Sequence, residues 1–143
     1  MVATELKFGV PDVDLTWSCG GTVNPSCFVG HQLFVLFLPT DQERQAAELK
    51  SYDAQADAFA GTDAWFLVIG QPETFPLLHR STPIAFDTEG TAWGAFLELA
   101  EDELTSNRED GAGFLFTRGG ALHRVWNGPG HAVELVRELK ERL

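Results

Sequence analysis

The sequence predicts an α/β domain: a mixed central sheet flanked by helices, with a β-hairpin at its N-terminal end. Three observations predict it. Leu33–Leu38 is an unbroken apolar run, Leu-Phe-Val-Leu-Phe-Leu, the pattern of a strand covered on both faces. A helical segment separates it from a second such run, Trp65–Ile69, so the two strands form a parallel βαβ unit. Near the end of the chain, Arg118-Gly119-Gly120-Ala121 lies between two further strand-like runs, a hairpin signal.

The elements follow in order. Val13–Trp17 and Thr22–Val23 surround Cys19-Gly20-Gly21 and predict the front hairpin. Pro39 ends the first central strand. Thr40 and Glu43 have the spacing of a capping box, which starts a helix at Thr40. Leu49, Tyr52, Ala56 and Phe59 continue it with one apolar face, and Gly61 supplies its stop. Pro83–Asp87 reads as a third strand, Thr88-Glu89-Gly90 as a turn with Asp87 at its edge, and Thr91–Leu99 as a short helix. Glu101–Gly111 is acidic and polar and reads as an exposed loop. Gly113–Thr117 and Leu122–Trp126 are the strands of the late hairpin. His131–Leu143 closes the chain as a helix, with Leu135, Leu139 and Leu143 four residues apart. No internal repeat or composition break divides the 143 residues, so one domain over 1–143 is expected.

Charge narrows the function. Ten Lys and Arg stand against 21 Asp and Glu, a formal charge of −11. Such a chain is poorly suited to nucleic acid, whose phosphates need basic side chains, or to an anionic membrane surface; the charge chiefly serves solubility. Met1–Phe8 carries no apolar run of a signal peptide, and Leu33–Leu38 is too short to span a bilayer. A cytoplasmic protein is expected.

Several short motifs resemble, in order and spacing, those of the alkyl hydroperoxide reductase and thiol-specific antioxidant family, the peroxiredoxins. Pro11-Asp12-Val13-Asp14-Leu15 is similar to the family's opening Pro-Asp-Phe-x-Leu, and Gly20-Gly21-Thr22-Val23 to its Asp-Gly-x-x-Val hairpin. Phe28-Val29-Gly30 followed by Leu33–Pro39 resembles its Phe-x-Gly linker and the strand ending in proline. Phe86-Asp87-Thr88-Glu89-Gly90 resembles its Ser-Asp-x-x-Gly turn, and Phe114-Leu115-Phe116 before Arg118-Gly119-Gly120 its late Phe-Leu-Ile-Asp-x-x-Gly hairpin. The resemblance runs from about Phe8 to the C-terminus and implies a thioredoxin-like fold. It also implies that a homodimer is to be expected, paired through the active-site cleft and the edge of the first helix.

The family's chemistry is absent. Peroxide is attacked by a thiolate whose pKa is lowered at a helix N-terminus, within a Pro-x-x-x-Thr-x-x-Cys motif. Counting forward from Pro39 puts Glu43 at the threonine place and Ala46 at the cysteine place. Counting back from Glu48-Leu49 puts Gln45 there instead. The family's arginine falls near Gly111, with Arg108 close but out of register. A fold keeps no function once its site is gone. The expected function is therefore a non-catalytic binding or dimerisation module without cofactor. Its ligand or partner would sit at the vacated site, a polar pocket of Thr40, Asp41, Glu43 and Gln45 at the carboxyl end of a central strand.

Two thiols remain. Cys19 and Cys27 lie eight residues apart near the front hairpin and could form a redox dithiol pair, giving an oxidoreductase as the alternative. They could equally be inert small residues. With His31 they could supply three zinc ligands, though the usual short paired spacing is missing. Glu43, Glu48 and Asp53 on the first helix are read as acids favouring its dipole. His79, His123 and His131 are scattered and suggest no nucleophile–base pair. Trp17, Trp65, Trp93 and Trp126 are expected as core or interface anchors rather than a cofactor box, with Trp93 and Trp126 the better interface candidates.

Overall fold

The computed structural model describes residues 9–18, 20–70, 84–87 and 89–142. Seven strands form one sheet: β1 (Leu15–Trp17), β2 (Thr22–Val23), β3 (Gln32–Phe37), β4 (Ala64–Gly70), β5 (Ala85–Phe86), β6 (Ala112–Phe116) and β7 (Leu122–Asn127). Their spatial order is β2-β1-β5-β4-β3-β6-β7. β3, β4 and β5 run parallel, and β1 and β6 join them antiparallel. Four α-helices are described: α1 (Gln42–Ala54), α2 (Ala56–Ala60), α3 (Thr91–Leu99) and α4 (Ala132–Glu141). This is the mixed, helix-flanked sheet expected from the sequence, with the front hairpin as β1–β2.

The two-sided burial of β3 organises the core. Leu33, Val35 and Phe37 pack on one face with Ala92, Phe96 and Ala100 from α3 and its end. Phe34, Leu36 and Leu38 pack on the other with Leu49 and Tyr52 of α1 and Leu135 and Leu139 of α4. An unalternating apolar run is the only composition that serves both faces. Phe37, Phe96 and Phe114 contact one another edge to face, with ring centroids 4.9–5.8 Å apart. Each such fully buried ring is worth about 1.5–3 kcal/mol relative to exposure.

Several details depart from the sequence reading. The cap of α1 is Asp41 rather than Thr40: its Oδ2 accepts from the Arg44 amide at 2.9 Å. A carboxylate one residue further on reaches the free amides of the first turn and also suits the helix dipole. The predicted helix divides at Gln55 into α1 and α2. Asp87 is more than a turn residue. Nearly buried, it accepts from the Ala92 and Trp93 amides at 3.0 and 2.9 Å and so caps α3. The acidic loop is exposed at Glu101, Asp102, Glu103 and Glu109. It is nevertheless pinned by buried Leu104 and by Asn127, whose side-chain oxygen accepts from the Thr105 and Ser106 amides. Trp126 is core, packed edge to face on Phe34, because its place on β7 faces α4. Trp65, rather than Trp126, is half exposed, at the start of β4. Pro83, Thr88, His79 and Leu143 lie outside the described residues.

Candidate functional site

The corner where β3 gives way to α1 is the place a thiol peroxidase would use. The Leu38 amide donates to the Ile69 carbonyl at 2.9 Å and the Thr40 amide to the Glu109 carbonyl at 3.0 Å, so the acidic loop lies against the turn. Asp41 caps the helix, and its carbonyl accepts from the Gln45 amide at 2.9 Å. Gln45 is 1% exposed, whereas its neighbour Ala46 is exposed. The inward position of the first turn is therefore held by an amide, which has no nucleophilic chemistry toward peroxide. Of the pocket residues expected from the sequence, Thr40, Asp41 and Gln45 meet at this corner; Glu43 points to solvent.

Two arginines close the corner from outside. Arg44 Nη2 donates to the Glu109 carbonyl at 2.8 Å and to Asp110 Oδ1 at 2.9 Å. Arg108 Nη1 donates to the Leu38 carbonyl at 2.6 Å, and its guanidinium carbon lies 5.4 Å from the Phe37 ring centroid and 5.8 Å from that of Trp93. Arg108, out of register in sequence, thus reaches the end of β3 because the loop folds back over it. Gly111, the position where the family's arginine would fall, is buried with φ +78°. A Cβ on it would collide with the Phe37 carbonyl oxygen and lie 3.0 Å from the Pro39 nitrogen. No side chain fits there without moving the backbone.

Behind the corner sits Glu48, 3% exposed on the inner stripe of α1 with Gln45, Leu49 and Tyr52. Its Oε1 accepts from the Gly130 amide at 2.9 Å. Burial raises its pKa, offset in part by that hydrogen bond and by His131. Burial, and then the Glu48 charge, also raises the Tyr52 phenol. Sequence reading takes Glu48 for a dipole acid; the signal that it faces inward is its spacing of three from Gln45 and four from Tyr52.

The thiol region is elsewhere. Cys27 is exposed in a short 3₁₀ helix, Pro25–Phe28, that precedes β3. Six strand residues, roughly 20 Å at 3.3 Å each, separate it from the α1 corner. The His31 ring lies 5.4 Å from that of Trp65, which also contacts Phe28 at 5.7 Å. Cys19 lies outside the described residues. Among the described residues, no three His, Cys, Asp or Glu side chains are grouped to hold a metal, and no helix is long and apolar enough to cross a membrane.

No family model and no curated protein matches the chain. Solved structures do. Peroxiredoxin Q of Xanthomonas campestris superposes with a TM-score of 0.74 at 18% identity, over 92% of each chain. The exposed lipoprotein thioredoxin of Streptococcus pneumoniae gives 0.69 at 20% identity, over 92% of this chain and 99% of that one. A secreted disulfide oxidoreductase of Mycobacterium tuberculosis gives 0.67 at 14% identity, over 91% and 96%. The peroxiredoxin-like, thioredoxin-type fold implied by the motifs is the fold this chain adopts.

Proposed function

We propose that this chain uses the peroxiredoxin-type fold without thiol peroxidase chemistry, as a binding or dimerisation module whose contact surface is the β3–α1 corner and the adjoining edge of α1. The observation that carries the reading is Gly111. The backbone of Phe37 and Pro39 occupies the space a side chain at 111 would need, while Gln45 fills the inward position of the helix turn. Both arginines at the corner are engaged within the chain, one by a carboxylate and a carbonyl and the other by a carbonyl and two rings. Exposed acids at Asp41, Glu43 and Glu109 rim the corner and suit a partner that brings positive charge.

The test is consumption of hydrogen peroxide by the purified, reduced protein with a dithiol reductant. The expected rate is that of the reductant alone. A robust peroxidase rate that disappears in Cys27→Ser overturns the proposal. Sedimentation of the wild type beside Glu43→Lys reads self-association through the same surface.

A second reading rests on the exposure of Cys27: a redox pair with Cys19. Thiol titration with and without reductant separates the two readings. A reversible loss of both thiols supports the pair, and two unchanging thiols remove it.

A further inference from the structure

We propose that a cavity between α1 and the turn entering α4 binds a primary alkylammonium group through Glu48. The cavity holds about 220 Å³ and is lined by Arg44, Ala47, Glu48, Ser51, Pro129 and Gly130. That is room for several waters or a short methylene chain.

Glu48 makes the cavity a site. Its side chain is more than nine-tenths buried, yet it has no ion-pair partner among the described residues. Oε1 takes the Gly130 amide, and nothing described donates to Oε2. A buried carboxylate is ordinarily paired, because an uncompensated charge is costly away from water. The nearby cations make their hydrogen bonds elsewhere, and His131 acts on Glu48 through its charge alone. Arg44 is held by Asp110 and the Glu109 carbonyl. His131 is held by Glu134 at 2.8 Å and the Asn127 carbonyl at 2.9 Å.

The walls select the ligand. Ala47 and Pro129 offer apolar surface to a methylene chain. A guanidinium fork would have to share Oε1 with the Gly130 amide, whereas an ammonium needs only the free Oε2. Ser51 lines the same cavity, and a serine hydroxyl can serve as a further acceptor. The formal charge of −11 raises the local concentration of cations. A lysine side chain of another protein and a free alkylamine share this chemistry.

The experiment is an amide NMR titration of the full chain with n-butylammonium chloride, against matched sodium chloride and tetramethylammonium chloride, which has no N–H. A saturable shift of the Gly130 resonance with butylammonium alone is expected. In Glu48→Gln its affinity should fall about tenfold, the loss of a charge-assisted hydrogen bond. Ala47→Leu fills the cavity from an exposed helix position and leaves the Glu48–Gly130 bond in place. It should abolish the shift even if the buried Glu48 variant folds poorly. A lysine tripeptide binding more tightly than butylammonium assigns the site to a protein partner, and the reverse order to a free amine. No saturable shift at Gly130, or an equal shift in both variants, overturns the proposal whatever the peroxide assay gives.

Discussion

Gly111→Ala is the substitution on which the reading of the corner turns. The residue sits at φ +78°, and an added Cβ would strike the Phe37 carbonyl and approach the Pro39 nitrogen at 3.0 Å. An L side chain in the left-handed region costs about 1–2 kcal/mol. Forcing a methyl into a filled space costs about 1–3 kcal/mol more, and here the obstacle is backbone that cannot rotate away. The sum, roughly 2–5 kcal/mol, is a large share of the 5–15 kcal/mol that typically holds a domain together. Urea unfolding followed by tryptophan fluorescence measures it, with the slope against denaturant showing whether the unfolded reference has changed. Gly119→Ala in the exposed β6–β7 turn is the control. Its Cβ would meet nothing closer than Thr117 Oγ1 at 4.0 Å, and its φ lies outside the left-handed range. That variant should be neutral or gain about 0.4–1 kcal/mol. A Gly111→Ala protein within 1 kcal/mol of wild type would show that the loop yields easily, and the argument that no arginine fits there would fail.

Other predictions follow from the same packing. Glu48 has a folded pKa raised by burial, so its contribution to stability is fully present below its unfolded value and is lost as pH rises through the folded one. Wild type should therefore lose stability relative to Glu48→Gln as pH rises above the ordinary carboxylate range, read as the difference between their urea midpoints at acid and neutral pH. Trp126→Ala should cost about 3–5 kcal/mol, as for a buried large aromatic, while Trp65→Ala, half exposed, should cost clearly less; similar unfolding midpoints would contradict the assigned burial. Gln45→Cys should place a thiol at the inward turn of α1 and still give no peroxide consumption above reductant alone, since Arg108 is held by the Leu38 carbonyl.

Much of the fold is legible in the sequence because its strongest signals are about burial. The run Leu33–Leu38 can be satisfied only by a strand with cover on both faces, and β3 has it. Gly119-Gly120 marks the late hairpin because Gly120, at φ +88°, takes a left-handed turn position. The corner was less legible. Capping chemistry is local, and Thr40 and Asp41 are both competent caps; the choice depends on where Pro39 aims the chain. Arg108 is three residues from the expected register, and a counting argument has no means of seeing a loop that doubles back to set its guanidinium on Leu38. The exposure of the tryptophans is likewise tertiary. Trp65 and Trp126 both lie on strands, and only the positions of the helices decide which one is covered.

On the proposed reading, the corner differs from that of a peroxidase by more than one residue. A thiolate at a helix N-terminus gains from the dipole, but attack on peroxide also needs a cation aimed at the developing charge. Arg108 cannot serve while it stabilises the carbonyl at the end of β3 and lies against Phe37 and Trp93. Withdrawing it would leave the Leu38 carbonyl without that donor, and an unsatisfied buried acceptor costs about 1–3 kcal/mol. Supplying a new arginine at position 111 meets the Phe37 carbonyl. The two obstacles share a cause: the loop carrying Arg108 and Gly111 is held against the β3–α1 turn by Thr40 and Arg44 and tied to β7 by Asn127. Restoring a thiol at position 45 would therefore act on the one part of the corner that is cheap to change, while the loop that fixes the remainder stayed in place.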